Sequence, residues 1–234
     1  MLRNGAPGVK REPFGQTEYT LRFWHTAEVN AVKTLRSDAR RNRERLVASA
    51  RELFAAHGVD VPVEDITHHA GLGMGTLYRH FPTKEELLDA VLEDSFADLV
   101  AAAEDAVAQD DAWAGFTGFL ERALAAHAAN RGLKDVLAAR RQGERAAAMR
   151  ARIRPLLRRM IQRAQEQGTL RADFAPEDLP LVFWTADRVI DRTAAVAPDY
   201  WRRFLGLLLD GLRADAASPL PQPPLTRAQL QRTA

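Results

Sequence analysis

The residues best suited to chemistry lie together at positions 71–81, GLGMGTLYRHF. Thr76, Tyr78 and His80 place two hydroxyl groups and an imidazole within about one and a half helical turns, behind three glycines. Such side chains bond phosphate oxygens or base edges, and glycine lets a backbone approach DNA closely. A helix that fills a core would not carry so many polar tips. The stretch is therefore a core element, an active site or a surface that reads DNA, and the surrounding helices decide among the three.

Other arrangements that perform chemistry are incomplete in this sequence. His68 and His69 are adjacent, so they point apart on a helix, and no third ligand completes a metal site. We find no nucleophile elbow, phosphate-loop glycine pattern or carboxylate pair with a helper base. We therefore predict no metal, no cofactor and no enzymatic activity. The alternative is a helical enzyme or a scaffold protein without DNA binding, and a scaffold leaves the polar face of 75–84 unexplained.

Composition limits the class of protein. The chain has 234 residues, no cysteine and a formal net charge of +2. This length is sufficient for one large or two small domains with a buried core. The absence of cysteine excludes disulfides and thiolate metal sites, which suits a reducing cytoplasm. No apolar run approaches the roughly 20 residues of a membrane-spanning helix, and the first residues lack the apolar centre of a secretory signal. We expect a cytoplasmic protein without a membrane partner.

Four zones follow one another along the chain. The first mixes Gly, Pro, aromatic and charged residues without a period and predicts an irregular or disordered extension. The second and third have helical spacing almost throughout and no strand alternation, so the predicted fold class is all-α. The last is a proline-rich tail that we expect to be loose. The zones are residues 1–37, 38–84, 85–217 and 218–234.

The second zone predicts three helices. An apolar stripe runs along the first, at about 38–57, and Gly58 suits a left-handed cap at its end. Pro62 opens a second short helix that Gly71 ends, and a third reaches Phe81. Two short helices joined by a turn are a known way to place the second in the major groove of DNA. The pattern is therefore a helix-turn-helix unit, and the polar face of its last helix is explained as the reading surface.

Charged residues flank the unit on both sides. The run RSDARRNRER at 36–45 leads into the first helix. A basic cluster beside a helical motif indicates phosphate binding, although charge runs alone usually form a solvated helix start. After Pro82, Thr83 and Glu86 have the spacing of a capping box for the next helix.

The run GVDVPVEDITHHAGLGMGTLYRHFPTKEELLDAV resembles the DNA-binding segment of the TetR family of bacterial transcriptional regulators. Its most specific part is GTLYRHFPTKEEL at 75–87, and the match covers about residues 40–92. The resemblance implies a ligand-responsive regulator, most simply a repressor, that binds a pseudo-palindromic operator as a homodimer. Lys84 would hold a phosphate at the donor-rich start of its helix. The implied DNA-contacting residues are Thr67, Gly73, Met74, Gly75, Thr76, Tyr78, His80 and Lys84.

The sequence departs from the family pattern at three positions of this segment. Gly73 and Met74 stand where relatives often have Ser and then Lys or Gln. Glu64 occupies a place where some relatives carry a base-reading arginine. Because Met74 cannot hydrogen-bond a base edge, we expect sequence readout here to depend on apolar contact and DNA shape.

The third zone is predicted to hold the effector pocket and the dimer interface. Its predicted helices are 83–108, one capped by Asp110 or Asp111, one after Gly132, then 144–167 bent at Pro155 and ended by Gly168, 176–195 and 198–216. In the family the last two helices pair with their twins, and LGLLLDGL at 205–212 has the apolar density for that, or for an internal core.

Aromatic and polar residues of this zone suggest a small-molecule effector site, because pockets between helices combine apolar walls with a few polar anchors. The same aromatic residues also suit a core without a ligand. Asp187 and Arg188 lie in an otherwise apolar helix, where they anchor a ligand or pair across the dimer. The candidate effector-binding residues are Trp113, Phe116, Phe119, Met149, Ile153, Phe183, Trp184 and Asp187.

Overall fold

The computed structural model of the chain describes residues 17–129, 144–215 and 217–233. The chain divides into two compact units, Met1–Arg45 and Leu46–Ala234. Over the described residues the regular structure is helical, and an isolated bridge between Leu170 and Arg213 is the nearest approach to a strand. The all-α prediction is confirmed.

The helices of the described residues differ widely in length, and a 3₁₀ turn at Pro176–Asp178 precedes the seventh. The helix predicted after Gly132 falls outside the described residues. None of the described helices combines the length and apolar character needed to cross a membrane. The helices are α1 (Thr17–His57), α2 (Val63–His69), α3 (Met74–His80), α4 (Lys84–Ala108), α5 (Ala112–Ala129), α6 (Glu144–Glu166), α7 (Leu179–Thr193), α8 (Tyr200–Leu212) and α9 (Arg227–Gln231).

The first helix is longer than the sequence pattern indicated. α1 begins at Thr17 and not near Asp38, so the prediction of an irregular segment is wrong for residues 17–37. Pro13 and Gly15 are the last helix breakers before this stretch. A helix needs no apolar stripe to continue through residues of adequate propensity, so the missing period was a poor guide.

Local signals did locate most helix ends. Gly58, Gly71 and Gly168 all have positive φ, at 82°, 62° and 69°, which is the left-handed conformation that glycine adopts without strain. Thr83 Oγ1 accepts a hydrogen bond from the Glu86 backbone N–H at 3.2 Å, which is one of the two bonds of the predicted capping box. These ends fix the turns on either side of α2 and α3.

Two separate apolar cores lie within Leu46–Ala234. The first core combines the end of α1 with α2, α3 and the first half of α4, and its most buried members are Leu46, Ala50, Phe54, Ile66, Leu77, Leu87 and Val91. The second core combines the second half of α4 with α5 to α8, and its most buried members are Ala103, Ala106, Phe116, Phe119, Leu120, Leu124, Met160, Ala164, Leu170, Ala186 and Trp201. α4 is therefore the helix that contributes to both.

The start of α5 packs closely against the end of α4 in the second core. A Cβ placed on Gly115 would lie 2.4 Å from the backbone oxygen of Ala106, so only glycine lets α5 approach α4 here. Asp111 caps α5 by accepting from the Ala114 N–H at 2.9 Å, as the sequence indicated. Gln167 accepts from the Ala112 N–H at 2.9 Å and thus ties the loop after α6 to the start of α5.

A buried arginine attaches the start of the tail, which we had expected to be loose. Arg171 is 9% exposed and bonds both carboxylate oxygens of Asp173, at 2.6 and 3.1 Å. It also donates to the backbone oxygens of Gly211, at 3.1 Å, and Ser218, at 2.6 Å. The bond from Arg171 lowers the pKa of Asp173, and the same bond raises the pKa of Arg171. The expectation of a loose tail is wrong at Ser218.

Candidate nucleic-acid interface and helical bundle

The turn between α2 and α3 aims the third helix away from its core. The Leu72 N–H donates to the Thr67 carbonyl oxygen at 2.9 Å, across the left-handed Gly71. Leu77 is fully buried and Phe81 is 3% exposed, so these two residues, one helical turn apart, anchor α3 to the first core. The opposite side of α3 is therefore turned to solvent.

The outward side of α3 is centred on three residues. Gly75, Tyr78 and Arg79 are exposed, Tyr78 by 51%, and their spacing places them on one helical face. A Cβ on Gly75 would have no heavy atom within 4 Å outside its own helix, so that backbone is openly accessible. Arg79 was missing from the residues inferred from sequence, although its i, i+4 spacing from Gly75 could have revealed it. We call Gly75, Tyr78 and Arg79 the reading face.

The other predicted contacts on α3 flank the reading face. Met74, Thr76 and His80 are half-buried, and the Nε2 atom of His80 is shielded from solvent. The His80 ring lies against Phe81, with centroids 6.4 Å apart. Gly73 is exposed at the N-cap position of α3. Thr76 and Gly73 thus lie beside the reading face, while His80 would have to rotate to present Nε2.

Thr67 points into the protein. It is 4% exposed, and its hydroxyl donates to the Glu64 backbone oxygen at 2.8 Å and approaches Met74 Sδ at 3.4 Å. The side chain therefore stabilises the turn between α2 and α3, and we leave it out of the proposed contact set.

Lys84 opens α4, next to the Thr83 cap, and is half-buried. The free N–H groups of a helix start and a lysine both favour an anion, which fits a phosphate. Glu85 and Glu86 occupy the same turn, so the local charge is mixed.

The arginine run on α1 is partly neutralised by its own neighbours. Arg41 contacts Asp38 and donates to Ser37 Oγ at 2.8 Å. Arg40 Nε lies 3.5 Å from Glu44 Oε1. All of these pairs are solvent-exposed, so a phosphate could replace the carboxylates. Phosphate binding by this run stays a prediction.

The predicted effector set is divided between packed core and half-buried positions. Phe116 and Phe119 are 0% and 1% exposed, and Ile153 is 8% exposed. Phe116 also packs edge-on against Phe174, with centroids 5.8 Å apart. These three residues pack the second core. Half-buried positions belong to Trp113, Met149, Phe183, Trp184 and Asp187.

Two clefts stand out among the described residues of Leu46–Ala234, and neither brings that set of residues together. One, of about 660 Å³, lies between α4, α5 and α8 along Asp105, Gly118 and Arg202. The other, of about 470 Å³, lies between α5 and α8 and is lined by Trp113 and Leu209. Trp113 carries Arg213 over its ring at 5.0 Å, so a cation covers it. Of the eight predicted residues, only Trp113 lines one of these clefts.

Asp187 has a partner within its own chain. His127 Nδ1 on α5 lies 2.9 Å from Asp187 Oδ1 on α7, and the His127 ring stacks on Phe183 at 5.6 Å. No local pattern in the sequence points to His127, because 60 residues separate it from Asp187. His127 and Asp187 thus form a polar contact at the edge of the second core.

An exposed apolar strip follows α7 and α8. Leu181, Tyr200 and Leu207 are 39%, 46% and 64% exposed, and Phe204 beside them is half-buried. By contrast, Leu205 and Leu212 point into the second core. The LGLLLDGL run thus supplies both an internal and an external apolar surface. We call Leu181, Tyr200, Phe204 and Leu207 the α7–α8 strip.

No group of three His, Cys, Asp or Glu side chains in the described residues has the geometry to hold a metal ion. A short helix that turns its polar side outward from a small helical core, followed by a helical bundle, defines the class of helix-turn-helix DNA-binding transcriptional regulators. Comparisons with known proteins agree with this class.

Residues 46–91 match the family described as bacterial regulatory proteins, tetR family. Residues 110–214 match the C-terminal domain described as transcriptional regulator SbtR-like. The chain belongs to the TetR family of bacterial transcriptional regulators. The first matched range has the same limits as the first apolar core. Family membership points to a regulator and not to an enzyme.

Solved structures and a curated relative resemble the chain to different extents. The TetR transcription regulatory protein from Mycobacterium vanbaalenii is 34% identical, covering 76% of this chain and 99% of its own, with a TM-score of 0.58. The regulator SCO0520 from Streptomyces coelicolor is 29% identical, covering 73% and 98%, also at 0.58. The HTH-type transcriptional regulator SAUSA300_2515 of Staphylococcus aureus is 42% identical over 60 residues, so this chain matches about a third (32%) of that relative's length.

Proposed function

We propose that the protein is a repressor that binds a pseudo-palindromic operator as a homodimer and releases it when a small molecule enters the helical bundle. The observation that carries the proposal is the reading face, an exposed tyrosine and arginine beside an open glycine backbone on a helix anchored by Leu77 and Phe81. Tyr78, Arg79 and Lys84 supply phosphate contacts, and Thr76 supplies contact with a thymine methyl group.

The α7–α8 strip supports the homodimer. Monomeric proteins rarely expose large apolar surface unless it is functional, and here Leu207 and Tyr200 are exposed on one helix and Leu181 is exposed on the helix that packs against it. A two-fold axis through such a strip gives an isologous interface and presents two copies of α3. Two recognition helices related in this way require an operator with matching half-sites.

A ligand regulates this system only through different affinities for the two states of the protein. It must bind the dimer whose α3 helices do not match the operator better than the dimer whose helices do. The His127–Asp187 pair is the proposed polar anchor, because the half-buried Asp187 is joined to the exposed His127, whose ring borders Phe183. Trp184 and Met149 are the proposed apolar neighbours, since both are half-buried.

The DNA-binding part is tested with a short fluorescent duplex and titrations over a series of salt concentrations. Lys84→Ala and Tyr78→Phe should weaken binding to any sequence, and Lys84→Ala should lower the salt slope by about 1, since one phosphate contact is lost. Arg158→Ala is the matched control, because it removes an exposed positive charge from α6. An unchanged slope for Lys84→Ala, or an equal loss for Arg158→Ala, contradicts the assignment.

The interface is tested by sedimentation of Leu207→Glu. Burying this carboxylate in a two-fold interface would place two like charges together, so the variant should sediment as a monomer and lose tight operator binding. Leu220→Glu is the control, because Leu220 is also exposed, by 49%, but lies in the tail. A Leu207→Glu protein that remains a dimer would exclude the α7–α8 strip as the interface.

A further inference from the structure

The two apolar cores are interrupted at one place on α4. The first core ends at Val91, and the next α4 residue packed against the second core is Phe96. In the described part of the chain, none of residues 92–95 belongs to either core. We call residues 92–95 the junction segment. Apolar packing therefore does not determine how the DNA-binding helices are held at this point.

Ser95 weakens the helix within the junction segment. Its hydroxyl donates to the Val91 backbone oxygen at 2.9 Å, one turn earlier. A serine that bonds back to the i−4 carbonyl competes with the helix's own hydrogen bond and often bends the helix. The junction segment thus has both little packing and a local reason to bend.

One side chain of α1 joins the junction segment to the turn of α4 that follows it. Arg51, on α1 between the buried residues Ala50 and Phe54, contacts Asp94 with one end of its guanidinium. With the other end it donates to Asp98 Oδ2 at 2.9 Å. The two aspartates are one turn apart on α4, so the planar fork of arginine fits both at once and fixes a direction.

The ion pairs of Arg51 with Asp94 and Asp98 contribute little to the stability of the protein, but their geometry is specific. Arg51, Asp94 and Asp98 have side-chain exposures of 29%, 53% and 67%, so solvent screens their attraction. The Arg51 Nε atom is buried and has no hydrogen-bond partner among the described atoms. A buried N–H donor without a partner costs free energy. A modest competing interaction is therefore enough to break the bridge from Arg51 to Asp94 and Asp98.

From these observations we propose that Arg51 is a positioning residue: it sets the angle of α4 at the junction segment and thereby the separation of the two reading faces in the dimer. The inference rests on the proposed DNA-binding function. Arg51 itself need not touch DNA. Its loss should leave the affinity of one reading face for DNA unchanged while widening the range of half-site separations that the dimer accepts.

The experiment starts with duplexes selected from a random-sequence pool by the unmodified protein. Affinity is then measured for the selected site, for the same site lengthened by one base pair between its halves, and for an unrelated duplex. We expect Arg51→Gln to lower the preference for the selected spacing about tenfold, with unrelated DNA bound as before. The Asp94→Asn, Asp98→Asn double variant should do the same, and it covers the case in which Arg51→Gln folds poorly. Adding Arg51→Gln to it should have no further effect, because the three residues act together.

Arg122→Gln is the matched control. Arg122 makes the same kind of bridge to Asp105, at 3.0 Å, but within the helical bundle, and it should keep the spacing preference of the unmodified protein. Spacing preferences of the Arg51 and Asp94/Asp98 variants that equal that of the unmodified protein would overturn the inference alone. Failure of the unmodified protein to select any sequence would overturn the proposed function, and the inference with it.

Discussion

Gly75→Ala separates the stability of α3 from its proximity to DNA. Gly75 lies in the first turn of α3 on the reading face, and a Cβ there would meet nothing within 4 Å. The methyl group therefore has no steric penalty in the free protein. Alanine also loses less backbone entropy than glycine on forming a helix, a gain of up to about 1 kcal/mol. The variant should melt at the same temperature as the parent protein or slightly above it.

DNA binding should respond in the opposite direction. If the α3 backbone approaches a phosphate or a base edge at Gly75, a methyl group occupies that space and displaces the helix from the groove. We expect at least a tenfold loss of affinity, about 1.4 kcal/mol, for selected and unrelated duplexes. DNA affinity is measured by fluorescence anisotropy and the melting temperature by thermal unfolding, both on the same protein preparation.

A second glycine in open space provides the control. Gly118 is within α5, and a Cβ there also meets nothing within 4 Å. Gly118→Ala should stabilise the helix without changing DNA affinity. Unchanged affinity of Gly75→Ala for both duplexes would refute the reasoning, because it would mean that the reading face does not approach DNA at this backbone position.

Two further predictions concern the helical bundle. Gly115→Ala should lower the melting temperature, at a cost of about 1–3 kcal/mol, because its Cβ would meet the Ala106 backbone oxygen at 2.4 Å; a melting temperature equal to that of the Gly118→Ala protein would contradict the packing argument. Asp173→Asn should lower stability at neutral pH. Arg171 holds the pKa of Asp173 below its ordinary 3.8, so this stabilisation is present above that value and disappears as the pH falls through the folded-state pKa. Melting curves of the parent and the variant should therefore converge in acid, and a difference that persists there would exclude ionisation of Asp173 as the cause.

The helix-turn-helix unit was predictable because its signals are local. Gly58, Gly71 and Thr83 end or begin helices through their own backbone or side-chain bonds, so sequence spacing carries the information. The reading face was only partly predicted. Polar residue type drew attention to Thr76 and His80, whereas the burial of the anchoring residues decides which side of α3 faces outward, and that side includes Arg79.

The helical bundle was less predictable, because its contacts join residues that are distant in sequence. His127 meets Asp187 across 60 residues, and Arg171 meets Ser218 across 47. Residue type made Phe116 and Phe119 equally suitable for a pocket wall or a packed interior, and their near-zero exposure shows that they pack the interior. The start of α1 was misplaced for another reason, since helices without an apolar stripe leave no periodic signal.

The separation of the two cores affects how unfolding of this protein is observed. Two bodies of apolar contact that meet through α4 need not melt in one transition. Of the four tryptophans, Trp113, Trp184 and Trp201 lie in helices that pack the second core, and Trp24 lies in α1 ahead of the first core, whose residues 46–91 contain none. Tryptophan emission therefore reports mainly on the bundle, while circular dichroism also detects unfolding of the helices of the first core. A variant with near-normal emission can already have lost the part that reads DNA.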